Sequence, residues 1–311
     1  MSHPHPSDHH RGALLGLAIG DALGTTLEFT GPLDPFTPQV TQIVGGGPFN
    51  LPAGFWTDDT SMALCLGQSL VAVGDFDPRD QIERYVRWWR NGENSSTGRC
   101  FDIGNATRAA LQTYQMTNQP YAGNPSPNTA GNGSLMRMVP VVLAAANEAE
   151  AITWAGHQSR VTHAAPAAID ACRLYARLIW RALAGASKAD LFDTSLGNDL
   201  ALEAGVAKVA QGSYQHAMPP TIQGLGYVTA ALEAALWAFY HSHDFASGAI
   251  LAVNLGQDSD TTGAIYGQIG GAFYGLEAIP AAWRSVLLRA DEIVALADDL
   301  AALGARRTGF L

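Results

Sequence analysis

The chain is poor in cysteine, in charge and above all in positive charge. Its 311 residues include only Cys65, Cys100 and Cys172, an odd count with no C-x-x-C pair. That pattern excludes a disulfide framework or a cysteine-held zinc, and it predicts buried, inert thiols in a reduced compartment. Charged residues make up 15% of the chain, and 18 Lys and Arg face 28 Asp and Glu, for a formal net charge of −10. Such a surface argues against a nucleic-acid partner or an anionic membrane. It leaves room for small anions, which bound metals and backbone N–H groups can hold inside an acidic protein. No uncharged apolar run reaches the roughly 20 residues that cross a bilayer. Residues 1–10 are polar, rich in His and Pro, and lack the apolar core of a signal peptide. The expectation is a cytoplasmic protein with a disordered tail over residues 1–10 and one domain over residues 11–311.

Strand-like alternation of β-branched residues is nearly absent too. Ala-rich stretches at 164–184, 227–240 and 293–303 instead place apolar residues three and four apart. The predicted fold is all-α. Gly12, Gly16, Gly20 and Gly24 share four-residue spacing, as do Gly263, Gly267, Gly271 and Gly275. On a helix each set forms a ridge nearly free of side chains, where another backbone can approach closely. Each glycine costs about 0.8–1 kcal/mol against Ala inside a helix, so both helices belong in the packed centre of a multi-helix bundle. The 47% hydrophobic content supplies a large core, to which Trp88, Trp154, Trp180 and Trp237 most economically belong. Two long stretches, 30–55 and 116–133, are rich in Gly, Pro or Asn and read as ligand-binding loops or lids.

Two acidic clusters stand at the start of helix-like runs: Thr57-Asp58-Asp59-Thr60, and Asp258-Ser259-Asp260-Thr261. Each alone reads as a helix cap with acids complementing the macrodipole. Capping needs one acceptor, however, and both clusters hold an excess of carboxylates that repel unless protonated, solvated or neutralised. If folding brings them together, the all-oxygen set of Thr57, Asp58, Asp59, Asp258, Asp260 and Thr261 suits Mg²⁺, Mn²⁺ or Ca²⁺ rather than zinc. An EF-hand is excluded at the second cluster because Ile269 stands where a bidentate Glu is needed. Asp102 lies between Phe101 and Ile103, as either a hydrogen-bonded structural acid or a proton-transfer group. Gly131-Asn132-Gly133-Ser134 reads as a turn into a helix that can offer N–H groups to a phosphate, or as a plain turn.

In order along the chain, these pieces resemble the ADP-ribosylglycohydrolase family, closest to its bacterial, arginine-directed branch of dinitrogenase reductase-activating glycohydrolases. The matching residues run 16–24, Glu28, 56–60, 101–104, 131–137, Thr162-His163, 226–228 and 256–261. The resemblance implies a compact all-α fold around a dinuclear Mg²⁺ or Mn²⁺ centre, held by the six oxygen ligands named above. It implies catalytic roles for Asp102 and for Glu28, which ligates metal or gates access to it. Asn105, Gly131, Asn132, Gly133, Ser134, His163 and Tyr227 fall where family members hold ADP-ribose. The implied reaction is removal of ADP-ribose from arginine of an ADP-ribosylated protein, by attack of a metal-activated water at the ribose anomeric carbon, with ADP-ribose as product. The alternatives are a serine-linked or small-molecule ADP-ribose substrate, or a non-catalytic ADP-ribose-binding relative.

Overall fold

A computed structural model describes residues 8–308. The helices are α1 (Asp8–Gly24), α2 (Asp58–Val73), α3 (Pro78–Asn91), α4 (Asn105–Thr117), α5 (Val139–Ala144), α6 (Glu148–Arg160) and α7 (Pro166–Leu183). They continue with α8 (Lys188–Leu191), α9 (Ala204–Ala210), α10 (Val228–His241), α11 (Phe245–Val253), α12 (Ser259–Tyr274), α13 (Ala281–Val286) and α14 (Ala290–Arg307). Among the described residues there is no strand, only isolated bridges that stitch loops together. No described helix is long and apolar enough to cross a membrane.

The two glycine ridges pack against each other. A Cβ on Gly16 or Gly20 would lie 2.3 or 2.0 Å from the carbonyl oxygens of Gly267 and Gly263, and one on Gly271 would lie 1.9 Å from that of Gly12. Helices α1 and α12 therefore run antiparallel with their backbones in contact, which no side chain would permit. Around this pair, α7, α10 and α11 pack against α12, while α14 lies on α1, α2 and α5. Arg11 joins Asp298 at 2.7 Å, so the first and last helices close one compact domain. Trp88 and Trp237 are fully buried in its core.

Helix α1 begins before the expected domain boundary at residue 11. The Asp8 carbonyl accepts from Leu276 N at 3.1 Å and His9 Nδ1 meets Ala272 O at 3.0 Å, so residues 8–10 are held by the end of α12. The rest of the expected tail lies outside the described residues.

The antiparallel pairing has a consequence for chemistry. It sets the C-terminal end of α1 beside the N-terminal end of α12, where the second acidic cluster begins. Gly24 packs on Ser259 and Asp260, and Ser259 Oγ donates to Gly24 O at 2.8 Å.

Candidate metal centre and adjoining clefts

Helix α1 also positions the first cluster. Asp21, fully buried, accepts from Thr57 N (2.9 Å) and Thr60 N (3.0 Å), and from the Thr57 and Thr60 hydroxyls at 2.9 and 2.6 Å. Four donors fill both carboxylate oxygens, so the α2 start is capped from another helix. Thr57 makes no side-chain cap bond of its own. Its hydroxyl lies 3.1 Å from Asp59 Oδ2 and 3.2 Å from Asp260 Oδ2, which joins two segments about two hundred residues apart in sequence. One hydroxyl proton serves only one of the three carboxylates around it.

At the second cluster, Asp258 stands at the N-cap of α12 and likewise makes no cap bond. Its Oδ2 instead accepts from Asn132 Nδ2 at 2.7 Å. Asp58, Asp258, Asp260, Thr261, Glu28 and Asp102 line one cleft of about 680 Å³, with Thr57 and Asp59 fully buried beneath them. The expected six-residue oxygen set thus converges.

Every carboxyl here is held above its ordinary value. Burial is the leading cause throughout, and neighbouring carboxylates add to it at most of them: Asp58, Asp59 and Asp260 are pushed well up, Glu28 to about 10 and Asp102 to about 8. For Asp21 and Asp258 burial outweighs the hydrogen bonds that favour the charged form. The residues fit divalent cations: Asp59 Oδ1, Asp260 Oδ1 and Glu28 Oε2 are buried with no hydrogen-bond partner. One carboxylate oxygen each from Glu28, Asp102 and Asp260 lies within 4.8 Å of the others. Buried acceptors of this kind cost several kcal/mol unless something positive meets them.

The glycine turn forms another side of the cleft. Asn132 N donates to Gly226 O at 3.1 Å and Val228 N to Ala130 O at 2.9 Å, which stitches the turn to the start of α10. A Cβ on Gly133 would lie 2.9 Å from His163 Cε1, so the turn needs glycine to sit on the imidazole. Burial and Arg137 drive His163 down to about 3, so the ring is neutral. Arg137 donates to Thr162 Oγ1 at 2.7 Å, and Thr162 Oγ1 lies 2.8 Å from His163 Nδ1. Thr162 Oγ1 thus links the guanidinium to the ring and fixes its orientation, with Nε2 on the side of the glycine turn.

Asn105, Ala106, Gly131 and Gly226 also line an outer cleft of about 470 Å³, with Tyr227, 45% exposed, and Asn124, Asn128 and Thr129. Of the expected substrate residues, Asn105, Gly131, Asn132, Gly133 and His163 line the inner cleft and Tyr227 the outer one. Ser134 does not join them. It is fully buried and its hydroxyl pairs with Ser159 at 2.8 Å, because the chain after Gly133 turns into the core. Asn132 is also committed, its amide being spent on Asp258.

The sequence reading assigned no site role to Asp21, although it lies in the 16–24 motif, nor to Arg108. The signal for Asp21 was a lone acid in a glycine-rich apolar helix. Arg108 is the single Arg or Lys lining the inner cleft, exposed and without an ion-pair partner among the described residues; nothing in its sequence context marked it.

The sequence matches the ADP-ribosylglycohydrolase family over residues 2–309. The chain belongs to that family. It is similar to the ADP-ribosylarginine hydrolase Tri1 of Pseudomonas putida (strain GB-1), 44% identical over 94% of this chain and 78% of that protein. It is 34% identical to the ADP-ribosyl-[dinitrogen reductase] glycohydrolase of Rhodospirillum rubrum, over 92% of each. A solved structure described as an ADP-ribosylglycohydrolase-related protein complex superposes with a TM-score of 0.86 and 44% identity, covering 96% of this chain and 99% of that one. As a member of this glycohydrolase family the chain is a hydrolytic enzyme.

Proposed function

We propose that this ADP-ribosylglycohydrolase removes ADP-ribose from modified arginine in a protein substrate, and that it needs two divalent cations, Mg²⁺ or Mn²⁺, to do so. The observation that carries the reading is the joining of two acid-plus-threonine clusters around buried, unpartnered carboxylate oxygens. Thr57, Asp58, Asp59, Asp258, Asp260 and Thr261 would hold the cations, which when bound would neutralise these carboxylates and lower the pKa of a water for attack. Glu28 completes the oxygen set toward the cleft. The protein's own groups do the rest. The His163 ring, the Gly131–Gly133 turn, Asn105 and Tyr227 line the path for ADP-ribose, and Arg108 offers the diphosphate a free guanidinium. Asp102, whose carboxyl is raised by burial and by the neighbouring Asp258 and Asp21, is the group we assign to give a proton to the departing guanidine nitrogen as the ribose C1″–N bond breaks. The relative named as an ADP-ribosylarginine hydrolase supports the arginine linkage, and the one named as an ADP-ribosyl-[dinitrogen reductase] glycohydrolase supports a protein substrate. A cytoplasmic location is in keeping with three free cysteines.

The test is release of ADP-ribose from arginine-linked and serine-linked ADP-ribosyl peptides by the pure protein. We expect release from arginine with Mg²⁺ or Mn²⁺ and none in EDTA. Release from serine alone would move the substrate, and an undiminished rate after exhaustive chelation would remove the metals.

A further inference from the structure

Glu28 and Asp102 each have a phenylalanine as chain neighbour, and the two rings meet through a third. Phe29 lies 6.2 Å from Phe49 edge-to-face, and Phe49 lies 5.1 Å from Phe101. Phe29 and Phe49 line the inner cleft alongside the acids but take no part in the outer one. Phe29 is 68% exposed and sits at φ 60°, a backbone region that a bulky residue occupies only at a cost. Its N–H is pinned to Gln257 O at 2.7 Å, next to the second acidic cluster. Phe49 is carried by a tight loop in which Gly46 and Leu51 exchange backbone bonds of 2.8 and 3.0 Å. Gly47, at φ 65°, presses that loop on the end of α1, where a Cβ would lie 2.0 Å from Thr25 O. An exposed aromatic in a strained conformation, held by loops anchored on both sides of the metal centre, is a prepared surface rather than a stray apolar residue.

We infer that Phe29, Phe49 and Phe101 form a platform on which the guanidinium of the modified arginine stacks, making this rim the determinant of arginine over other linkages. The inference rests on the proposed hydrolase reading. The nucleotide path runs along the glycine turn into the outer cleft, so the rim is left for the group on the far side of the scissile bond. That group is planar and cationic in an ADP-ribosylated arginine. Aromatic faces attract such a cation, and a guanidinium can also stack its plane on the rings. A serine oxygen offers the rings neither charge nor a plane.

Phe29→Leu keeps apolar bulk and removes the ring, and the residue is too exposed for the change to threaten folding. We expect KM for an arginine-linked ADP-ribosyl peptide to rise about tenfold, with kcat nearly unchanged. The affinity for free ADP-ribose, measured by calorimetry, should stay as in the wild type. Phe49→Leu should show the same split, and Phe29→Trp should restore the wild-type KM. Wild-type KM in both leucine variants would overturn the inference, and so would a parallel loss of ADP-ribose affinity, which would make the rim an adenine platform. If the wild-type protein releases nothing from the arginine-linked peptide while releasing ADP-ribose from a serine-linked one, the arginine reading falls and this inference with it.

Discussion

At the start of α3 the Asp77 carboxylate accepts from the backbone N–H groups of Arg79 and Asp80, and at the start of α11 Asp244 accepts from Ser247 N. At the starts of α2 and α12, Thr57 and Asp258 carry the same kinds of side chain and cap nothing. The electrostatics follow the geometry. Slight burial pushes Asp244 up, but its bonds from Ser247 outweigh that and hold it below its ordinary value; at Asp258 burial wins and the carboxyl is raised. A cap spends its oxygen on the helix it begins. At the α2 start Asp21 supplies the cap from a neighbouring helix, which releases Thr57 and Asp59 from that task, and at the α12 start Asp258 turns away from its helix toward Asn132 and the cleft. Freed acceptors gathered in the interior are a site for a cation.

The sharpest way to break this contrast is to remove one freed carboxylate. Asp260→Asn should lower turnover by roughly 10³-fold or more, if the proposed cations carry several kcal/mol of the barrier. In chelator the same variant should melt at or above the wild-type temperature, because a raised, repelled carboxylate opposes folding when charged. A drop in melting temperature of the kind a lost cap gives would mean that Asp260 is structural. Next in size is Asp102→Asn. Asn tolerates the φ of 55° found there, so the backbone should persist while kcat falls roughly 10²–10⁴-fold. Binding of free ADP-ribose should survive, and calorimetry beside a rate assay separates the two. The smallest effect belongs to Asp77→Ala, a true cap. It should cost about 1 kcal/mol of stability, read as a melting shift of about 2 °C, with turnover unchanged.

The contrast also explains what the sequence could and could not reveal. Helical periodicity exposed the all-α class, and four-residue glycine spacing exposed two central ridges, because both are local patterns. That the ridges pair with each other is a tertiary fact, since spacing names a face and never its partner. The clusters at 57–60 and 258–261 were legible as an excess of oxygen over what capping needs. Asp21 was not, for its role lies in four bonds to a segment 36 to 39 residues away in sequence. Ser134 shows the opposite failure: it sits in a motif with residues that line the inner cleft, but the chain has already turned inward there. The tail was set too long because the contacts of Asp8 and His9 lie at the far end of the chain.

The central claim is that the two helix starts make one cation site, and thermal unfolding across pH 7 to 8.5, with chelator and with Mn²⁺, tests it most directly. Glu28 and Asp102 are raised to about 10 and about 8, above their unfolded values, so in this window the folded state holds more protons than the unfolded one. In chelator the melting temperature should therefore fall as pH rises. Two groups run the other way: neutral His163, whose effect fades above the ordinary histidine value of about 6.5, and Lys188, which burial lowers to about 8; together they offset fewer protons than the raised carboxyls hold. Mn²⁺ meets the ionised carboxylates, so it should raise the melting temperature by an increment that grows with pH and vanishes in Asp260→Asn. A metal-free melting temperature that rises across the window, or a Mn²⁺ increment that is absent or survives Asp260→Asn, would contradict the account.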